Sequence, residues 1–145
     1  MYPAPSPSSA AARRTLRDVL ITHLRTGGGR GVITHRDAWH AAFGPGLAVD
    51  AVMLAELLAE IARAEHAAGR PMLTAATVAG KSGRPGDFFY AAARRAGFRP
   101  VPKSAAEDDG AGFWRARHAE ALAFWRRDPL LIMVDLTAPP QARGH

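Results

Sequence analysis

Glycine and proline cut this 145-residue chain into short pieces. Gly27, Gly28 and Gly29, then Gly44, Pro45 and Gly46, then Gly69 and Pro71, the run GKSGRPG at 80–86, Pro100 with Pro102, and finally Pro129 each interrupt a regular element. Glycine makes left-handed turns cheap, and proline has no amide to donate and clashes with a continuing helix. Only short amphipathic elements fit between these breaks. The expected fold is mostly α with a small β-sheet (α+β), in one domain over 11–136, a size that buries one core. The proline- and serine-rich residues 1–10 read as a disordered lead, and 137–145 as a disordered tail.

The segments read as follows. Residues 11–26 place Leu16, Val19, Leu20, His23 and Leu24 on one helical face, with Arg13, Arg14, Arg17 and Arg25 turned mostly outward. GVITH (31–35) predicts a strand, after which Thr34 caps a helix through Asp37, Trp39, Ala42 and Phe43. Asp50 caps the next helix, whose stripe is Leu54, Leu57, Leu58 and Ile61. Residues 72–79, rich in Thr and Val, predict a second strand. Asp87 is expected to cap FFYAAARRA, with Gly97 left-handed and Phe98 folding back. An extra C-terminal helix carries Trp114, Ala121, Leu122 and Trp125, and LLIMV (130–134) predicts a buried strand. Phe88, Phe89, Trp114 and Trp125 are expected in the core.

Composition excludes much of chemistry. With no cysteine, disulfides, thiolate metal sites and cysteine nucleophiles are ruled out. The absence fits a reducing, cytoplasmic setting, and no apolar run approaches a membrane span or a secretory leader. The six histidines show no helical ligand spacing, so neither metal nor cofactor is expected. There is no G-x-S-x-G turn, no carboxylate cluster of nuclease type, and so no catalytic constellation.

Charge is the more informative quantity. The net charge is +6, and it is segregated. Residues 13–36 hold six arginines against Asp18, and 70–103 hold seven bases against Asp87. Between them lie Asp37, Asp50, Glu56, Glu60 and Glu65 against Arg63 alone. Two basic segments flanking an acidic one point to a polyanionic partner, with a basic protein docking on the acidic helix as the alternative.

One stretch supports two chemistries. Ala75-x4-Gly80-Lys81-Ser82 formally matches a phosphate loop, with Asp135 as a magnesium-ordering acid. Against this, Gly83, Pro85 and Gly86 follow where a helix must open, and too little chain remains for a doubly wound sheet. The same stretch reads as a strand, a basic glycine-proline turn and a helix, the order found at the wing of a winged helix. There Lys81, Arg84, Arg94 and Arg95 form a cationic group suited to a phosphate backbone.

The order of elements from Gly31 to Gly86 resembles the C-terminal winged-helix domain of alkylguanine-DNA alkyltransferases and alkyltransferase-like proteins. VITHRDAW is similar to that family's V-T-T-Y-G-E-L-A, VDAVMLAELLAEI to its recognition helix, and RPMLTAATVAGKSGRPG to the segment running through P-C-H-R-V-V to a glycine turn. The stretch is also similar to a P-x-L-x3-V-x4-G-x-P-G-x-G-F-F segment of uncharacterised bacterial proteins. The resemblance implies a DNA-binding fold without alkyl transfer, because Ala75, Ala76 and Thr77 lie about where the reactive cysteine motif belongs. It places His35 at the family's tyrosine and Asp50 at the arginine that helps turn out a base. The combined expectation is a non-catalytic, winged-helix-like protein that binds DNA with little sequence preference. Its expected contacts are Arg13, Arg14 and Arg17 on one side, and Lys81, Arg84, Arg94 and Arg95 on the other.

Overall fold

The computed structural model describes residues 2–6, 8–26, 30–80, 82–104 and 110–127. In these the chain forms α1 (Ala10–Thr26), β1 (Ile33–Thr34), α2 (His35–Phe43), α3 (Ala51–Ala67), a 3-10 helix (Leu73–Ala76), β2 (Thr77–Val78), α4 (Asp87–Ala96) and α5 (Gly110–Trp125). The fold is mostly α with a small β-sheet. The triple glycine, the strand expected over 130–134, Pro129, Asp135 and the tail lie outside the described residues.

Local chemistry sets the helix ends. The Ser9 hydroxyl accepts the Ala12 amide at 3.1 Å, fixing the start of α1 inside the segment read as a lead. Thr34 accepts the Asp37 amide at 3.1 Å, and Asp50 accepts the Met53 amide at 3.0 Å. Each cap satisfies an amide that the first helical turn leaves without an internal partner. Gly44 closes α2 at φ 99° with its amide on the His40 carbonyl at 2.9 Å, and the Tyr2 ring lies against it. Gly97 closes α4 at φ 109°, and the Phe98 amide reaches back to the Ala93 carbonyl at 3.1 Å.

Helix α3 is the axis of the molecule. One face sets Leu54, Leu57, Leu58 and Ile61 against Ala12, Leu16, Leu20 and Leu24 of α1, with Trp39 and Phe43 of α2 and Phe124 and Trp125 of α5. The four α1 residues recur every fourth position, which lays them in one stripe along the helix. Another face sets Ala59 and Ala62 of α3 against Phe89, Tyr90, Ala92 and Ala93 of α4, with Met72 and Ala75. Alanines on both helices let the backbones come close and leave room for the two rings.

The sheet is smaller than the sequence predicts. Only Ile33–Thr34 of the 31–35 segment is strand, pairing in parallel with Thr77–Val78 in the register Ile33↔Thr77, Thr34↔Val78. The first half of the second expected strand is instead the 3-10 helix. Every residue from Met72 to Val78 is buried, so there is no solvent face for an alternating strand to show. The tighter coil turns Leu73 and Ala76 to one core and Ala75 to the other. The Thr77 hydroxyl then donates to the Thr74 carbonyl at 3.0 Å and the Trp114 indole to the Ala75 carbonyl at 2.9 Å, satisfying groups that a ladder would have used.

Asp87 also departs from expectation. It is the first residue of α4, behind Gly86 as N-cap, and makes no capping hydrogen bond. Its carboxylate lies near the positive end of the helix, where negative charge is favoured. Phe89 and Trp125 are buried, whereas Phe88 and Trp114 are partly buried at the margins of the two cores.

Leu57→Ala, which empties a fully buried position between α1 and α3, is expected to destabilise the fold by about 2–5 kcal/mol in urea unfolding. Asp50→Ala, which removes only a cap, is expected to cost about 1 kcal/mol.

Candidate nucleic-acid interface

The basic turn is a closed loop between β2 and α4. The Ala79 amide donates to the Arg84 carbonyl at 2.8 Å, and the Gly83 amide to the Ala79 carbonyl at 2.9 Å. The Ser82 hydroxyl accepts the Arg84 amide at 3.2 Å. These bonds turn the backbone groups inward and leave Ser82 and Arg84 exposed at the tip. The turn rests on the end of β1 and the start of α2, with Gly80 beside Thr34 and Gly86 beside His35 and Phe88. It leads into a helix rather than a further strand, so this projection is a turn and not a hairpin. Lys81 lies outside the described residues.

Helix α4 carries two more expected contacts with different fates. Arg95 is exposed. Arg94 is half-buried, its guanidinium donating to the Pro102 carbonyl at 3.0 Å, where it braces the loop after α4. Near the turn, the Tyr90 hydroxyl donates to the Gly110 carbonyl at 2.8 Å. Burial raises the pKa of this phenol; the charge of Asp87 adds to the rise and that of Arg84 opposes it.

The α1 arginines are also divided. Arg14 is exposed, and Arg13 is partly buried at the rim of a groove between α1 and α3. Arg17 turns inward. Its guanidinium donates to one Glu65 carboxylate oxygen at 3.1 Å and lies over the Trp125 ring, 5.4 Å from its centroid. Arg70 holds the other oxygen of Glu65 through Nε at 3.0 Å and NH2 at 2.6 Å. Glu65 is 1% exposed. A carboxylate at that depth is tolerable only with charged, hydrogen-bonding partners, and here two guanidiniums share it.

Reading Glu65 only as part of the acidic middle segment missed this clamp. Its position held the clue: it lies four residues beyond Ile61 and eight beyond Leu57, on the buried stripe itself. The other acids of α3 are disposed differently. Glu60 pairs with Arg63 on the surface, and Glu56 is exposed.

The two basic groups do not merge. α1 packs on one side of α3 and α4 on another, so Arg13, Arg14 and Arg17 belong to one groove, while Arg84 lies on the turn and Arg95 on α4. Ala75 is buried in the 3-10 helix, and the next helix opens at Asp87, well after Lys81. No group of three His, Cys, Asp or Glu residues suited to a metal occurs among the described residues, and no described helix is long and apolar enough to cross a membrane.

His35 opens α2 with its ring 4.8 Å from Phe88, and its Nε2 is buried with no hydrogen-bond partner among the described residues. Burial lowers its pKa below the ordinary 6.5. The chain matches no protein family, no curated protein and no solved structure, so the site is argued from geometry alone.

Two outcomes follow. Arg70→Ala leaves Glu65 buried with one partner in place of two, and should cost about 3 kcal/mol in urea unfolding. His35 favours the neutral form when folded, so its contribution to stability is present above the ordinary pKa. As pH falls through 6.5 the unfolded chain takes up the proton first and stability declines. The urea midpoint should drop between about pH 7.5 and about pH 5.5, and His35→Phe should flatten that drop.

Proposed function

We propose that this protein is a non-catalytic DNA-binding module that grips the phosphate backbone with little sequence preference. One observation carries the reading: three arginines stay exposed on α1, the turn and α4, while two of the five acids of the middle segment, Glu60 and Glu65, are taken up by arginines. Glu65 is enclosed by Arg17 and Arg70, and Glu60 is paired with Arg63, while Arg14, Arg84 and Arg95 stay exposed on α1, the turn and α4. Asp37, Asp50 and Glu56 remain exposed in the middle segment, so burial removes Glu65 alone from its surface charge. The element order from β1 through α2, α3 and β2 to a basic turn supports the winged-helix-like reading, and with it the resemblance to the alkyltransferase DNA-binding domain.

Within this reading the contacts are electrostatic. Guanidiniums on a protruding turn meet phosphates and release condensed counterions, giving strong salt dependence without reading bases. The start of α3 is a poor groove-reading surface, because Asp50 caps it and Glu56 lies one turn beyond Val52.

A second reading rests on a different observation. Leu47, Val49 and Val52 are exposed at the corner between α2 and α3, Val52 at 76%, next to Asp50 and Glu56. An apolar corner edged with acids suits an adaptor that docks a basic protein segment.

Fluorescence anisotropy of a labelled random duplex, titrated over a range of salt, separates the two. The DNA reading expects tight binding at low salt that weakens steeply. It also expects Arg84→Ala with Arg95→Ala to reduce the log–log salt slope by about one for each phosphate that is no longer neutralised. Absence of binding at low salt would favour the adaptor.

A further inference from the structure

The groove between α1 and α3 has a feature that a generic basic surface lacks: two of its cations, Arg17 and Arg70, are held in place by a buried carboxylate. It forms a pocket of about 280 Å³ lined by Arg13, Arg14, Arg17 and Arg70, with Glu60 and Glu65 and the aliphatic Ile61 and Ala64. Leaving Arg13 aside, Arg14, Arg17 and Arg70 against Glu60 and Glu65 leave the lining net positive, before the external pairing of Glu60 with Arg63 is considered.

Glu65 shapes the pocket by fixing its arginines. Arg70 uses Nε and NH2 on the carboxylate, and Arg17 uses NH2 alone. A guanidinium has five N–H donors in a planar fork, so each keeps further donors. The side chains are 20% and 27% exposed, which leaves those donors within reach of solvent. Arg17 is also pinned over Trp125. Such arginines give up little freedom when an anion arrives, which favours binding by pre-organisation.

The shape selects among phosphates. A diester inside a continuous duplex carries one charge and lies on a convex ridge that does not enter a recess between two helices. A phosphate monoester carries about −1.5 to −2 charges at pH 7 and presents three acceptor oxygens. It matches the excess of positive charge and the forked donors.

We propose that the α1–α3 groove is a pocket for the terminal phosphate of a nucleic-acid strand, held by Arg14, Arg17 and Arg70 with Arg13 at its rim. The proposal rests on the nucleic-acid reading above and adds to it: the turn would hold the backbone, and the groove would recognise an end.

The test compares two oligonucleotides of one sequence, one 5′-phosphorylated and one 5′-hydroxyl, in anisotropy titrations with the full chain at fixed salt. The phosphorylated strand should bind about tenfold tighter, the effect of one charge-assisted hydrogen bond or more. Arg14→Ala, at an exposed position outside the buried clamp, should abolish the preference. Arg84→Ala with Arg95→Ala should weaken both strands and leave their ratio unchanged. Equal affinity for the two strands would overturn the end-recognition proposal while leaving backbone binding intact. Binding of neither at low salt would overturn both.

Discussion

One buried carboxylate organises this molecule. Glu65 sits near the end of α3 at 1% exposure, gripped by Arg17 from α1 and by Arg70 from the segment that leaves α3. An isolated charge there would be prohibitive, and the fold is viable because both oxygens are satisfied by guanidiniums. The clamp joins three parts of the chain: α1, α3 and the entry to the 3-10 helix. It also sets where Arg17 points, and so how Trp125 of α5 is covered. A buried pair is weak evidence for stability as such, because a packed apolar substitute often does as well. Its clearer consequence is geometric, since it fixes the register of α1 against α3.

From that axis the remaining architecture follows. α3 shows leucines to α1 and alanines to α4, so two cores of different texture form on its two sides. The 3-10 helix lies between them and contributes to both. Beyond it, two residues of β2 pair with two of β1, enough to bring the basic turn onto the start of α2. The clamp lies in the groove itself, and the chain beyond Arg70 runs through the 3-10 helix and β2 to the turn.

Much of this was legible in the sequence where local chemistry decides. Thr34, Asp50, Gly44 and Gly97 end their helices as their types require, and the leucine stripe of α3 is buried as its spacing predicts. What was not legible depended on partners distant in sequence. The first half of the strand expected over 72–79 is a 3-10 helix, where burial on every side leaves none of the alternation on which strand prediction relies, and only Thr77–Val78 pairs as strand. Asp87 reads as a cap by type, yet Gly86 takes that position. Glu65 counted only toward the charge of the acidic segment, and its partner Arg17 lies 48 residues away in the chain. Among the candidate DNA-binding residues, residue type alone could not separate Arg14, Arg84 and Arg95, which face solvent, from Arg17 and Arg94, which brace the fold.

The functional account rests on the cations: Glu65 is turned inward between two arginines, and selected cations are left outward on α1, the turn and α4. Its most direct test is to map the interface residue by residue, by following backbone and arginine side-chain NMR resonances while a short duplex is added at low salt. The account predicts that shifts concentrate at Arg14, at Ser82 to Arg84 and at Arg95, with Val52 and Glu56 undisturbed. Shifts centred on Leu47, Val52 and Glu56, or none at the turn, would contradict it.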